Sequence, residues 1–500
     1  MGVFPPITDI EKADLDGSLV HGLVWTGGMR WASQLVTWAS TLIVARLLMP
    51  EDYGIVGMAT VYLGLITLLT EFGVGTAVVT LRELSPDQLA QLNGLAVLLG
   101  FTGFALSCVV AFPLGTFFAS PRLPWVVVAM SANFVISSFR SVPSALLQKD
   151  LRFKLLSVIE GSRSISLAII TVLVAWMGLR YWTLVVGSIG GAIIETSLTL
   201  SRRPCPFAWP RPGSLRHAIR FTGHIIISRL AWYCYSNADF VVSGRVLGEK
   251  ALGVYSLAWN LANIPVDKIA GVLNNVTPAL FSAVQNQRAM LRRYLLNLTE
   301  GISLIACPAG LGLGLVAPEF VLAVLGQKWE AAVVPLRLLA FFASFRCLAP
   351  MISVALISIG ESRFAMWNSI AAALVMPASF LVASRWGNPG IAAVWLLLYP
   401  LVAVPLFHRA FTKMDLRWTE YLRVLRPALT GSVAMALVVL LLKHTLPPGR
   451  VPAARLAVEV TGGGLAYVLI TGIFNFKRRH HLFKILQMLR SPISRPEQSR

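Results

Sequence analysis

The chain has 500 residues, of which 56% are hydrophobic and only 13% charged, and its mean hydropathy is +0.70. A soluble domain carries about twice that charged fraction, so the net charge of +20 does not indicate a soluble nucleic-acid-binding protein. The composition is that of a polytopic membrane protein, all-α, because isolated helices satisfy their own backbone in lipid.

At about 20 apolar residues per crossing, the sequence predicts fourteen transmembrane helices with short loops. The first twenty residues are polar and acidic (Asp9, Glu11, Asp14, Asp16) and lack a secretory leader pattern, so the first helix is expected to act as its own anchor. Crossings are predicted at 22–46, 53–80, 92–118, 123–147, 155–177, 181–201 and 218–243. They continue at 252–281, 295–317, 332–358, 364–385, 390–411, 427–445 and 455–475. The eighth is the least hydrophobic, and charge parity supports it. With fourteen helices the basic runs at 149–154, 202–220, 288–293 and 409–426 and the C-terminal tail share one side, as the positive-inside rule requires of the cytoplasmic face. Both termini are therefore expected in the cytoplasm of a multi-pass protein of the bacterial inner membrane. The tail Lys477–Arg490 interleaves basic and apolar residues and reads as an interfacial helix against anionic membrane lipids.

One phrase occurs twice. Ala45-Arg46-Leu47-Leu48-Met49-Pro50-Glu51-Asp52-Tyr53-Gly54 returns as Gly244-Arg245-Val246-Leu247-Gly248-Glu249-Lys250-Ala251-Leu252-Gly253, and the same offset places Arg30 on Arg229. A second echo pairs Asp150-Leu151-Arg152-Phe153 with Glu361-Ser362-Arg363-Phe364. Both echoes lie six helices apart, an even number, so the halves are parallel repeats about an axis along the membrane normal. The expected organisation is a cytoplasmic N-terminal tail (1–21), an N-lobe of six helices (22–201) and a cytoplasmic inter-lobe loop (202–217). A second six-helix C-lobe (218–414), helices 13 and 14 (415–476) and a basic cytoplasmic tail (477–500) complete it.

Charges inside the crossings single out a site. Arg30, Arg140, Arg163, Arg229, Lys268 and Arg346 fall within apolar helices, with Glu71, Glu160, Glu195, Asp239, Asp267 and Glu300. A charge at the bilayer centre costs at least about 2.5–3.5 kcal/mol, so these groups must face protein, water or one another. Polar stripes at helical spacing accompany them: Asn133, Ser137, Arg140, Ser144 and Gln148 on helix four, and Ser256, Asn260, Asn263 and Asp267 on helix eight. Small and polar stripes also serve as helix-packing surfaces, but a guanidinium is rarely needed for packing alone. Glu160 with Arg163, and Asp267 with Lys268, are close enough on one helix to neutralise each other. Arg30, Arg140, Arg229 and Arg346 have no such partner on their own helix, so their counter-charge comes from another helix or from cargo. Arginine suits a phosphate, because it stays charged and forks onto two oxygens. Trp232 and Tyr233 beside Arg229 offer flat faces for sugar rings or, more plainly, interfacial anchors. The expected cavity is thus Arg30, Arg140, Arg229, Arg346, Trp232, Tyr233, Asn260 and Asn263, with Glu71, Asp239 and Asp267 as candidates for coupling to H+ or Na+. No cofactor, no metal and no catalytic residue is expected.

The Ala45–Gly54 phrase with Glu71-Phe72-Gly73-Val74-Gly75, the segment Ala145–Phe153 and Gly253-Val254-Tyr255-Ser256-Leu257-Ala258 together resemble the bacterial polysaccharide export family, the Wzx-type lipid-linked oligosaccharide flippases. The resemblance implies the superfamily that also holds multidrug/cation antiporters and the lipid II flippase. It implies two lobes alternating between inward- and outward-open states around an undecaprenyl-pyrophosphate-linked oligosaccharide, with other polysaccharide assembly proteins as partners. By location, Arg30 and Arg229 would correspond to central-cavity arginines of the lipid II flippase. Two readings compete. A drug/cation antiporter on the same scaffold would favour acids over arginines in its cavity. A membrane-embedded glycosyltransferase or polymerase would need a sizeable extramembrane loop, whereas the longest polar break, 202–217, is short, basic and proline-rich.

Overall fold

The computed structural model describes residues 33–70, 72–80, 84–211, 230, 232–284, 287–446 and 452–474. The expected site residues Arg30, Glu71 and Arg229 lie outside them, and the side chain of Asp267 is likewise not described. Every regular element among the described residues is helical. In chain order they are α1 (33–47), α2 (Pro50–Thr70), α3 (Phe72–Thr80), α4 (Pro86–Phe117), α5 (Leu123–Lys149), α6 (Phe153–Trp176) and α7 (Trp182–Arg202). There follow α8 (232–236), α9 (Ala238–Val242), α10 (Gly248–Ala283), α11 (Arg288–Leu315), α12 (Ala317–Phe320), α13 (Val333–Arg346) and α14 (Ala349–Ser358). The last four are α15 (Ser362–Ala383), α16 (Gly387–Lys413), α17 (Trp418–Thr445) and α18 (Pro452–Phe474).

Among the described residues, nine segments are long and apolar enough to cross a membrane. One of them, Ser362–Lys413, is 52 residues long and holds two of the predicted crossings. The 36-residue α10 is long enough for the eighth predicted crossing but is not among the nine, in keeping with its polar stripe. The protein is therefore an all-α, multi-pass membrane protein.

Local chemistry sets the helix boundaries. In α4, Ser85 accepts from the Gln88 amide while the Gln88 side chain accepts from the Ser85 amide, with Pro86 at the first helical position; this reciprocal cap satisfies donors the helix itself leaves open. In α2, Pro50 opens the helix and Glu51 and Asp52 sit in its first turn, where the helix dipole favours anions. The Asp52 carboxylate accepts from the Met49 amide at 3.0 Å and pairs with Arg180 at 3.5 Å. The acidic part of the repeated phrase is thus a helix start tied to the α6–α7 turn.

The chain divides into two compact units. The first contains residues 1–257 and 372–391. Its core joins α2, α4, α5 and α7 through Ile55, Met58, Ala111, Leu123, Val126 and Val185, and reaches Leu252 at the start of α10. Here the two copies of the repeated phrase meet. A Cβ on Gly54 would lie 1.8 Å from the Glu249 carbonyl oxygen, and one on Gly253 would lie 1.7 Å from the Pro50 carbonyl oxygen. Glu249 occupies in the second copy the place of Pro50 in the first, so the contact is reciprocal, each glycine receiving the other copy's helix start. Any larger residue would collide with backbone, which is why both copies keep glycine. Lys250 and Glu51 form an ion pair at 3.9 Å beside it. Asn388, at the start of α16, accepts from the Ser243 hydroxyl at 3.0 Å and donates to the Ala251 carbonyl at 2.6 Å.

The second unit contains residues 258–371 and 392–500. Its core is aromatic and aliphatic, built from Phe281, Leu291, Leu295, Ile352, Phe407, Phe411 and Tyr421. Helices α17 and α18 pack on each other and α17 packs on α11. Gly431 of α17 leaves room for Tyr467 and Thr471 of α18, and the Tyr467 hydroxyl donates to the Leu304 carbonyl of α11 at 2.7 Å. At the far end a four-charge cluster ties α17 and α18 to α12. Lys443 of α17 lies 2.6 Å from Glu319 of α12 and 3.7 Å from Glu459 of α18, and Arg455 lies 3.0 Å from Glu459 and 3.8 Å from Glu319. Glu459 is fully buried. The outer face of α18 is exposed and apolar (Leu465, Val468, Leu469, Ile473), as a lipid-facing helix requires.

Candidate functional site

In the second unit, Arg346 ends α13 and lies against α10. Its guanidinium donates to the Asn263 side-chain oxygen and stacks over the Trp259 ring with its central carbon 5.0 Å from the centroid. Behind Trp259 stands an aromatic wall. Trp259 packs on Trp395 at 5.4 Å, Trp395 on Tyr399 at 5.5 Å, and Phe342 touches both Trp395 and Tyr399. The contacts described for this cation are thus to neutral groups. A cation–π contact contributes about 0.5–2 kcal/mol and a hydrogen bond to a charged group about 1.5–3 kcal/mol, together of the order of what a charge inside the membrane costs. Asn263 is buried while Asn260, one position before the next turn, is exposed. Trp259 was not singled out from sequence, although it shares a face with Ser256 and Asn263 at steps of three and four.

In the first unit, Arg140 finds its counter-charge on another helix. Its Nη1 lies 3.2 Å from Glu195 Oε1 of α7, and Arg163 Nε of α6 lies 3.3 Å from Glu195 Oε2. The sequence suggested Glu160 as a neutralising partner for Arg163; across helices, Arg163 also reaches Glu195. The local reason is the stripe Gly187–Gly191–Glu195 on α7. A Cβ on Gly187 would lie 2.1 Å from the Thr171 methyl, and one on Gly191 would touch Leu167 Cβ at 3.3 Å and Arg163 Cγ at 3.5 Å. The glycines draw α6 onto α7, so the Arg163 stem crosses Gly191 and its head reaches Glu195 one turn on.

Tyr233 and Asp239 have structural partners. The Tyr233 hydroxyl donates to the Val61 carbonyl of α2 at 2.8 Å, and its ring tip occupies the space that Gly64 leaves open. Trp232 is 51% exposed. Asp239 is fully buried and accepts from the Tyr255 hydroxyl at 2.6 Å. Among the described residues, no group of three or more His, Cys, Asp or Glu could hold a metal ion.

Comparison with known proteins gives these features a family. The lipopolysaccharide biosynthesis protein WzxC of Escherichia coli (strain K12) is 26% identical over 372 residues, covering 71% of this chain and 73% of WzxC. The succinoglycan biosynthesis transport protein ExoT of Rhizobium meliloti (strain 1021) is 24% identical over 459 residues, covering 90% of this chain and 91% of ExoT. The fold is similar to that of the lipid II flippase MurJ in an inward closed conformation, with a TM-score of 0.74 at 12% identity over 91% of this chain and 99% of MurJ. Residues 43–334 match the family described as polysaccharide biosynthesis protein, and the chain belongs to that family.

Proposed function

We propose that the protein is a flippase that carries an undecaprenyl-pyrophosphate-linked oligosaccharide from the cytoplasmic to the periplasmic leaflet of the bacterial inner membrane. The two lobes alternate around a cavity to which Arg30, Arg140, Arg229 and Arg346 contribute charge, and both termini are cytoplasmic. The hydrocarbon tail stays in lipid while the anionic head crosses on guanidinium groups. Trp232, Tyr233, Asn260 and Asn263 belong to the same proposed cavity, and Glu71, Asp239 and Asp267 are its proposed ion-coupling carboxylates. The observation that carries the reading is Arg346, a cation at the end of an apolar helix whose described contacts are an amide oxygen and an indole face. A drug/cation antiporter gains nothing from such a group, whereas a pyrophosphate is its natural complement.

The test is export. A hydrogen bond to a charged group contributes about 1.5–3 kcal/mol, so Arg346→Ala is expected to weaken cargo binding by roughly 10- to 150-fold. The lipid-linked intermediate should then accumulate in cells and surface polymer should fall, with Arg346→Lys intermediate. The same is expected of Arg30→Ala and Arg229→Ala. Normal export by correctly inserted Arg346→Ala would remove the phosphate-clamp reading.

A further inference from the structure

The end of the first unit at which α4 begins and α5 and α7 finish carries an exposed rim of mixed character. In the α5–α6 turn, Leu151 and Phe153 are exposed and alternate with exposed Arg152 and Lys154. Beyond α7, Phe207 and Trp209 are 51% and 69% exposed, pack edge to face at 5.8 Å and lie between exposed Arg203 and Arg211. Arg203 pairs with Asp150 at 3.4 Å and so joins the two segments. The acidic side chains described in or near the rim are Asp87, Asp150 and, two turns into α6, Glu160. Lys149, Arg152, Lys154, Arg202, Arg203 and Arg211 outnumber them.

The aromatic pair is held in place. Residues 203–211 are not helical, yet they are pinned along α4. The Ala208 amide donates to the Ala90 carbonyl at 3.1 Å, the Asn93 side-chain amide to the Pro206 carbonyl at 3.1 Å, and the Arg211 amide to the Gln91 side-chain oxygen at 3.2 Å. Gly94 lets this strap come close, because a Cβ there would lie 2.0 Å from the Ala208 carbonyl oxygen. Side chains presented on such a support lose little freedom on binding. Leu151 adds a second sign. Its φ of +56° disfavours a bulky side chain, and it is 71% exposed. The conformational cost is the same in any surroundings, but exposing the leucine to water adds to it and exposing it to lipid does not.

Helix length sets the depth of the rim. α5, α6 and α7 have 27, 24 and 21 residues, about 40, 36 and 32 Å at a rise of 1.5 Å per residue. A bilayer has a hydrocarbon layer about 30 Å thick and measures about 40–45 Å with its headgroups. Exposed Trp125 and Trp176 mark the opposite ends of α5 and α6, where tryptophan favours the interface. The turn at 150–154 and the end of α7 therefore fall at headgroup level of the other leaflet.

We propose that this rim is a docking surface for anionic phospholipid headgroups. Leu151, Phe153, Phe207 and Trp209 reach into the boundary between headgroups and acyl chains, and the cations around them bind phosphate oxygens. A recess of about 630 Å³ shares Asp150 with the rim and is lined by Leu84, Leu89 and Leu146 as well as Ser85, Gln88 and Lys149, a mixture suited to that boundary. Such a surface holds the first unit to the membrane whatever the cargo.

The experiment replaces Trp209 in the full chain by the photo-crosslinking residue p-benzoylphenylalanine, with the same residue at Phe207 as an independent second probe. Each folded protein is reconstituted in vesicles of equal phosphatidylglycerol and phosphatidylcholine with identical acyl chains, irradiated, and its adducts weighed by mass spectrometry. Phosphatidylglycerol adducts should predominate. A cation near an anionic membrane surface contributes about a fivefold factor. Arg152→Gln combined with Arg202→Gln should therefore bring the ratio of the two adducts toward one, by up to about 25-fold. Arg423→Gln combined with Arg426→Gln, exposed cations of α17 in the second unit, should leave the ratio unchanged. Equal adducts with the cations intact, an equal fall from the α17 pair, adducts mainly to a second copy of the chain, or no lipid adduct from either probe would overturn the proposal.

Discussion

Replacing Gly54 by alanine adds one methyl group at the place where the two copies of the repeated phrase cross. That Cβ would stand 1.8 Å from the Glu249 carbonyl oxygen, 2.6 Å from its carbon and 3.1 Å from its Cα. All three are backbone atoms inside a helix start and cannot rotate aside, so relief requires the starts of α2 and α10 to part. Inserting a methyl group into a packed contact costs typically about 1–3 kcal/mol. A conformation in which residues 50–54 and 248–253 are separated bears none of that cost. The population of the closed crossing should therefore fall about 5- to 150-fold relative to any open alternative. Spin labels at Glu51 and Lys250, which form an ion pair across the crossing, report this directly by double electron–electron resonance. Gly54→Ala should add or enlarge a longer-distance population, and Gly253→Ala, whose Cβ would meet the Pro50 carbonyl at 1.7 Å, should do the same. An unchanged distance distribution in a folded Gly54→Ala protein would show that the crossing is not rigid and that the reasoning is wrong.

Two further outcomes follow from the charge clusters of the second unit. Lys443→Met leaves Glu319 and the fully buried Glu459 with Arg455 as their remaining recorded cation. Stranding a buried charge costs about 3–5 kcal/mol, so the melting temperature in detergent should drop by several degrees, and an unaltered melt would mean the cluster is already hydrated. Glu361, in the turn before α15, accepts from Lys413 at 2.6 Å and from Arg409 at 3.1–3.3 Å, and these two cations hold its carboxyl below the ordinary carboxylate range. A depressed folded pKa contributes stability at neutral pH that is lost as pH falls through the lowered value. The stability difference between wild type and Glu361→Gln should thus be present at neutral pH and vanish in acid, and a pH-independent difference would refute the assignment.

Much of the fold was legible because hydropathy and repetition are both local in sequence. The apolar runs mark out the long described helices, and the doubled phrase anticipated a relation that the Gly54–Gly253 crossing expresses in backbone contacts. What could not be read was pairing across helices. Arg140 and Glu195 are brought together by α5–α7 packing, and no spacing along one helix encodes that. Arg163 has Glu160 three residues away on its own helix, and the glycine stripe on α7 brings Glu195 within its reach from another. Trp259 was legible in principle, since it lies one turn before Asn263, but an aromatic residue in an apolar helix gives no sign that a guanidinium from α13 will cover it. Tyr233 illustrates the converse: its place beside Arg229 suggested sugar stacking, while the space above Gly64 on α2 supplies a packing role.

The reciprocal crossing also bears on how the two phrases can vary. Around Arg46 and Arg245 they differ at most positions. At Gly54 and Gly253 each copy is the mould in which the other is cast, so a change on one side is felt at once by its twin. Divergence there has to be concerted, and the smallest residue is retained twice for a single reason.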